Sequence, residues 1–347
     1  MSQPRVLIHI VTWNSARTIR RCIEKATSQD GFRLGEDLWV RITDNGSTDG
    51  TVEILGEYGC RRGIQVVYNN RNIGFCAAHN QGASQCVNER FAALVILNPD
   101  VGLFPDTVAT MAKALDAEER QGIVTPKLLR AGAELEALTP PVLDAAGMIL
   151  TANLRHFDRG SGEADHGRYN SRKEVFGATG ACLMISRECA HDLLLPSTVS
   201  DVPVWRIYPE LREGSESRVK LFDEGFFAYR EDADLSWRAG RRGWRCMYEP
   251  AAVATHVRVV TPERRAKLPA RLNALSVRNR FLLQLNNWSL ATGVSTFLAG
   301  IVWRNIVVIL GVLAFERSSL QGLKEAMLLA PRARAIHRAT VPKREKD

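Results

Sequence analysis

A chain of 347 residues with 45% apolar and 24% charged side chains has room for one large domain or two modest ones, and this composition excludes a disordered or fibrous protein. Its seven cysteines are scattered, odd in number and without a CxxC, which excludes a disulfide framework and a cysteine zinc site and points to a reducing, cytosolic setting. The net charge of +8 is uneven, since residues 258–347 carry 16 basic and 5 acidic side chains against 30 and 33 in the rest; nucleic acid and an anionic membrane face both suit that C-terminal quarter.

Met1–Arg5 carries no secretion-signal pattern and leads into Val6–Val11, an apolar run that predicts a buried strand. Thr12–Ser15 ends it, and Ala16–Gln29 has helical spacing. Leu38–Thr43 predicts the next strand, stopped by Asp44–Gly50, with a helix over Thr51–Tyr58. A third strand is expected at Ile64–Tyr68, then the loop Asn69–Phe75 and a helix over Ala77–Asn88. A fourth, Phe91–Leu97, ends at Asn98-Pro99-Asp100. Pro105–Glu119 reads as a helix and Ile123–Leu128 as a strand. Strand–loop–helix units in succession predict an α/β fold with a mainly parallel, doubly wound sheet, which binds ligands beyond the carboxyl ends of its strands. Asn14, Asp44, Asn72 and Asp100 are then expected on one rim as a nucleotide site, although any single loop of this kind reads simply as a turn.

Residues 131–175 are polar and irregular, an inserted loop or hairpin. Val175–Ser186 predicts a strand needing close backbone approach at Gly177 and Gly180. Pro196–Lys220 reads as a second, mobile insertion. In Asp223–Arg238 (DEGFFAYREDADLSWR) an aromatic run feeds into Arg230, Glu231, Asp232 and Asp234. A helix should open at Glu231 or Asp232 and close near Gly240 or Gly243, with Asp234 and Arg238 as an i,i+4 pair. These acids read as ordinary first-turn residues. They also read as carboxylates carried into a partly buried cleft, where one could take a proton from a hydroxyl.

Trp288–Phe315 is long enough to span a bilayer, but a central Arg304 costs about 2.5–3.5 kcal/mol on insertion scales. One or two helices lying in the membrane interface are expected, with a helical pair packed on the catalytic domain or in a dimer as the alternative. Pro331–Lys346 is basic and expected to be partly disordered.

VTWNS (Val11–Ser15), DNGSTDGT (Asp44–Thr51), NIGFCAAHNQG (Asn72–Gly82), LNPDV (Leu97–Val101), GATGACLMI (Gly177–Ile185), FDEGFFAYREDADLSWR (Phe222–Arg238), His256 and Arg278-Asn279 occur in an order that resembles the family 2 glycosyltransferases of the GT-A fold. More narrowly, the chain is similar to the bacterial rhamnosyltransferase-type branch that builds surface polysaccharides. The resemblance covers roughly residues 5–282. It implies a GT-A catalytic domain over 1–260, with a nucleotide-sugar half to about 128 and an acceptor half beyond, and a basic helical region over 261–347. It also implies transfer of a sugar from a nucleoside diphosphate to a hydroxyl, with inversion at the anomeric carbon.

The resemblance assigns Asp232 as general base, with Glu231 as fallback, and Asp234 and Arg238 to orienting the helix. Asp44 would bind the pyrimidine ring, flanked by Thr12 and Asn14, while Arg71, Asn72 and Gly74 line the nucleotide pocket. Asp100 matches the last acid of the DxD metal motif, whose first acid is here Asn98, so one carboxylate would serve Mg2+ or Mn2+ alongside phosphate oxygens and water. His256 is a further metal or diphosphate contact, against a plain strand-end histidine; Arg258 would supply charge to the diphosphate. Arg278 and Asn279 are expected to contact the diphosphate, and Gly177, Gly180 and Trp237 to lie on the acceptor side. The implied partners are a nucleotide-sugar donor, dTDP-rhamnose ahead of UDP-hexoses and galactofuranose donors, and a glycan or polyprenyl-diphosphate-linked acceptor. The chain would sit peripherally on the inner face of the cell membrane, without nucleic acid, and a homodimer stays open. A nucleotidyltransferase would need a glycine-rich loop that Thr12–Arg17 lacks, and a non-catalytic protein keeping the fold is the remaining alternative.

Overall fold

The computed structural model of the chain describes residues 5–215, 218–258, 270–289 and 293–341. The first half is β1 (Val6–Thr12), α1 (Ile19–Thr27), β2 (Leu38–Asp44), α2 (Thr51–Gly56), β3 (Ile64–Tyr68), α3 (Gly74–Asn88), β4 (Ala93–Leu97), β5 (Val101–Leu103), α4 (Thr107–Leu115) and β6 (Gln121–Arg130). Then come the short strands β7 (Leu143–Ala145), β8 (Met148–Leu150), β9 (His156–Asp158) and β10 (Lys173–Val175), followed by β11 (Cys182–Ser186), α5 (Arg187–Asp192) and α6 (Val202–Ile207). The chain continues through α7 (Glu231–Arg241), β12 (Arg245–His256), α8 (Ala270–Asn287), α9 (Val294–Thr296), a π-helical stretch Phe297–Trp303, α10 (Arg304–Ala314) and α11 (Leu320–Thr340).

The main sheet runs β10-β12-β6-β11-β4-β1-β2-β3. β3, β2, β1 and β4 pair in parallel; β11 runs antiparallel between β4 and β6. Every residue of β1 and β4 is buried, as expected of strands covered on both faces. A Cβ on Gly82 would stand 2.2 Å from His9 Nδ1, so only glycine lets α3 lie this close to β1. Pro126 interrupts β6 opposite Glu249, where β12 slips its register, the irregularity at which a strand can accommodate proline.

Apart from the short, unexpected β5, element types match the sequence patterns in the first half, with boundaries moved by side-chain caps. α3 starts at Gly74 rather than Ala77, because Asn72 Oδ1 accepts the Gly74 N–H at 2.8 Å. α1 starts at Ile19 rather than Ala16, whose N–H is taken by Asp49 Oδ2 at 3.1 Å. The strand expected over Val175–Ser186 is broken. β10 ends at Val175 and β11 begins at Cys182. Between them Gly180 N–H donates to Asp232 and Ala178 N–H to Ser236, so these donors serve α7 instead of a neighbouring strand.

Of two segments expected to be loose, the first is folded and the described part of the second is helical. The second insertion carries α6 and buries Val204, Tyr208 and Leu211. Residues 331–340 are helical despite Pro331, because α11 buries Ala333, Ile336 and Arg332, the last ion-paired to Asp201 and Asp223 at 2.8 and 2.5 Å. Leu282 and Leu283 of α8 and Leu329 of α11 belong to the same apolar core as the sheet's Leu7 and Ile96. Helices α8 and α11 are therefore packed into the body of the fold. Residues 342–347 lie outside those described.

Candidate active site

Parallel pairing in register brings the first two loops together. Thr12 lies opposite Asp44 and Asp44 opposite Tyr68 at the carboxyl ends of β1, β2 and β3. Asp44 is buried and folds its own loop, accepting the N–H groups of Gly46 (3.0 Å) and Ser47 (2.9 Å) and the Ser47 hydroxyl (2.5 Å). Asn14 Oδ1 accepts the Thr48 N–H at 2.8 Å, joining the first loop to the second. A Cβ on Gly46 would meet the Arg71 backbone at 2.9 Å, so the third loop packs on the second. The Thr12 hydroxyl is buried beneath this rim without a hydrogen bond. Arg71 turns away from the main cleft into a cavity of about 430 Å3 shared with Tyr68 and Arg218.

The larger cleft, about 1000 Å3, is lined by Asn98, Gly180, Glu231, Asp232 and His256 among others. Antiparallel pairing explains the meeting of the first two. Leu97 at the end of β4 faces Cys182 at the start of β11, and Asn98 N–H donates to Ala181 O at 2.9 Å. β12 delivers His256 beside Val101, and Val257 N–H donates to Asp100 O at 3.0 Å. His256 Nδ1 contacts Asp144 Oδ2 at 2.7 Å, and Nε2 stands 3.4 Å from Asp100 Oδ1. Burial works to lower its pKa, but the two carboxylates outweigh burial and raise it to about 9. Asp100 Oδ1 is buried and forms no hydrogen bond of ordinary geometry.

Asp232 lies in the first turn of α7 and is half-buried. Its Oδ2 accepts the Gly180 N–H at 3.0 Å and its Oδ1 the Ala233 N–H at 2.7 Å. Burial raises its pKa; the Gly180 N–H opposes this, and the nearby Asp158 charge adds to it. Glu231 is pushed up strongly, first by burial and then by Asp232, and its Oε2 is buried without a hydrogen bond. Asp234 is fully buried, with Arg238 Nε donating at 2.9 Å and Asn287 Nδ2 at 2.6 Å, so it anchors the helix.

The approach to α7 is strained. Phe227, Tyr229 and Arg230 all have positive φ (63°, 71° and 73°), which side chains bearing a Cβ adopt rarely and only when the surroundings over-determine it. Asn279 supplies that constraint: its Nδ2 donates to the carbonyls of Phe226 (3.0 Å), Ala228 (2.7 Å) and Tyr229 (2.8 Å). Arg278 Nη2 donates to Phe226 O at 2.6 Å, while its Nη1 pairs with Glu325 at 2.8 Å. Arg278 is fully buried with each of its three nitrogens hydrogen-bonded inside the protein, so it holds the loop from behind rather than reaching a diphosphate. Trp237 is likewise buried, edge-on to Phe176, and does not line the cleft. Gly177 makes room for Ser236 of α7 (2.3 Å from its would-be Cβ); of the three residues expected on the acceptor side, Gly180 alone lines the cleft.

Two acids of this site escaped the sequence reading. Asp144 and Asp158 come from the irregular 131–175 region. Arg258 Nη1 donates to Asp144 Oδ1 at 3.0 Å and its Nη2 to Asp158 Oδ2 at 2.5 Å. These partners are 114 and 100 residues apart, and no local pattern marks them.

A mainly parallel sheet with an inserted antiparallel strand, and a cleft at the strands' carboxyl edge, define the GT-A fold. The solved structure of GalNAc-T7 with UDP, GalNAc and Mn2+ superposes with a TM-score of 0.59 at 13% identity, covering 82% of this chain and 48% of that one. A mannosyltransferase from Pyrobaculum calidifontis, in complex with GDP-Man and Mn2+, gives 0.51 at 15% identity over 98% of this chain and 86% of its own. The family model for glycosyl transferase family 2 matches residues 7–193, and the chain belongs to that family. The N-acetylglucosaminyl-diphospho-decaprenol L-rhamnosyltransferase of Mycobacterium tuberculosis is 24% identical over 229 residues, 62% of this chain and 66% of the relative. Chondroitin synthase of Escherichia coli is 34% identical over 105 residues, 30% of this chain and 14% of that enzyme. The chain thus spans just under two thirds of the first relative and a small part of the second.

Proposed function

We propose that the chain transfers a sugar from a nucleoside-diphosphate donor to a hydroxyl of a glycan or lipid-linked glycan acceptor, with inversion. The observation that carries this reading is one cleft lined by the carboxylate of Asp232 and by Asn98 and His256, with Asp100 3.4 Å from His256. Asp232 accepts the Gly180 N–H on one oxygen and the Ala233 N–H on the other, which fixes its orientation and leaves each oxygen a second lone pair for a substrate proton. The acceptor oxygen forms its bond to the anomeric carbon as the bond from that carbon to the diphosphate oxygen breaks. The acceptor proton passes to Asp232, and the diphosphate leaves with the bonding pair.

The residues fit a divalent metal. Asp100 Oδ1 is a buried carboxylate oxygen without a hydrogen bond of ordinary geometry, His256 Nε2 standing 3.4 Å away, although among the described residues no group of three His, Cys, Asp or Glu side chains could hold an ion unaided. A Mg2+ or Mn2+ ion held by Asp100 and donor phosphate oxygens, with His256 beside it, would supply positive charge to the leaving diphosphate. His256 ligation would first require release of the proton that Asp100 and Asp144 now favour. Likeness to the Mycobacterium tuberculosis relative supports L-rhamnose from dTDP-rhamnose as the donor.

The test is a panel of nucleotide sugars, each with manganese, magnesium or chelator, and with a synthetic polyprenyl-diphosphate glycan as acceptor. Turnover with dTDP-rhamnose and a divalent ion supports the full reading. Turnover with another donor removes rhamnose alone. Formation of pyrophosphate from a nucleoside triphosphate and a sugar phosphate would replace the reading with nucleotidyl transfer.

A further inference from the structure

The segment Phe297–Ala314 is long and apolar enough to cross a membrane by composition, yet it is apolar outside and polar inside. Asn305 faces the protein body: its Oδ1 accepts from Arg280 Nε at 3.0 Å, and its Nδ2 donates to Gln284 Oε1 at 2.7 Å. Gly300 O accepts from Arg280 Nη2 (3.3 Å) and Gln284 Nε2 (3.4 Å). A Cβ on Gly300 would stand 2.8 Å from Leu154, so the helix presses on the loop between β8 and β9. Outward point Leu298, Trp303, Leu310 and Phe315, which are 56%, 68%, 59% and 91% exposed. Between residues 297 and 315 Arg304 is the sole charged residue, and it is half-buried.

A helix solvated by water turns its charges outward; this one does the reverse. Its exposed arc is also wide. Val302 and Trp303, Ile306 and Val307, and Ile309 and Leu310 are consecutive pairs with both members exposed. The arc is therefore broader than the ~100° stripe that one packing partner covers. On the next helix, α11, the exposed charges Lys324, Arg334 and Arg338 are all basic, while its acid, Glu325, is buried against Arg271 and Arg278. An exposed apolar face, followed in the chain by a helix whose exposed charges are all basic, complements an anionic lipid headgroup layer.

We propose that the exposed face of Phe297–Ala314 is seated in the interfacial region of an anionic lipid bilayer, lying along it rather than crossing it. Its inner side is hydrogen-bonded to α8, so lipid cannot surround it, and Arg304 is kept out of the hydrocarbon. The hairpin pressed by Gly300 also carries His156, Phe157 and Asp158 into the cleft, which brings the acceptor wall close to the membrane.

The test is flotation of the full chain with vesicles of phosphatidylcholine alone or mixed with phosphatidylglycerol, together with sedimentation without lipid. The chain is expected to float with the mixed vesicles, less so at high salt, and to show a blue-shifted tryptophan signal lost in Trp303→Phe. The Leu310→Glu/Leu313→Glu double variant is expected to weaken vesicle binding at least about tenfold. Both leucines are exposed, so its melting temperature should equal that of the wild type, which separates lost binding from misfolding. Absence from every vesicle fraction at low salt overturns the proposal. So does a stable dimer that the double variant dissociates, which would assign the face to a second copy. Neither readout requires turnover, so they stand or fall apart from the proposed reaction.

Discussion

The Gly180 N–H donates to Asp232 Oδ2 at 3.0 Å across 52 residues of sequence. The contact ties the proposed base to the turn that begins beside Asn98, so the two sides of the cleft are held to one another directly. Replacing Asp232 by Asn leaves one oxygen to accept the Gly180 N–H, turns the amide nitrogen toward the Ala233 N–H, and removes the capacity to take a proton. D232N is expected to bind donor as the wild type does while kcat falls about 10²–10⁴-fold. Calorimetry of donor binding beside steady-state kinetics checks this; full turnover in D232N would remove Asp232 from the reaction.

The pH profile should carry the same signature. Burial, aided by Asp158, raises the Asp232 pKa, and the base works only when ionised. The acid limb of kcat/KM is therefore expected above the ordinary aspartate value of about 3.9, with activity lost as pH falls through it. Removing the neighbouring charge in D158N should move this limb to lower pH. A limb that stays in place would show that Asp158 does not act on the base.

Asn279 holds three carbonyls of a loop containing three left-handed side-chain residues. N279A should release that strain at a cost to stability of about 1–3 kcal/mol. Hydrogen exchange should rise over residues 226–230, and kcat should fall more than donor affinity, because Asp232 loses its placement rather than its chemistry. Urea unfolding and exchange mass spectrometry check both effects.

Arg332 lies buried between Asp201 and Asp223. R332A removes the cation paired with Asp223 and leaves Asp201 with Lys220 alone, and should cost about 3–5 kcal/mol at neutral pH. In the wild type, burial raises the Asp223 pKa, but Arg332, Asn286 and the Gly225 N–H together depress it. Its stabilising contribution is thus full above the ordinary carboxylate range and is lost as pH falls through the depressed value. In R332A burial acts with less opposition, so the stability gap to wild type should narrow in acid. Thermal unfolding of both proteins across pH provides the measurement.

Chelation gives the last test. Asp100 is the protein carboxylate proposed for the metal, so ion affinity should be weak until the donor diphosphate joins it. Manganese is expected to raise the melting temperature in the presence of nucleoside diphosphate, little in its absence, and not at all in D100N. Equal stabilisation of D100N would place the ion elsewhere.

By itself the sequence determined the parallel units, the turns after their strands that carry Asn14, Asp44, Asn72 and Asp100, and the acidic helix start at Glu231. These follow from apolar runs, turn residues and first-turn acids, all set by neighbours a few positions apart. Tertiary structure alone decided what the remaining polar residues do. Arg278 and Asn279 look like a basic helix face until the fold lays Phe226–Tyr229 across them, and Asp144 and Asp158 carry no signal until β12 brings Arg258 alongside. Pro331 and the charges near it read as loose chain, yet Arg332 finds two acids more than a hundred residues away. A local pattern records what a residue does to its neighbours in the chain; the partner of a buried charge is chosen by packing, which the local pattern does not contain.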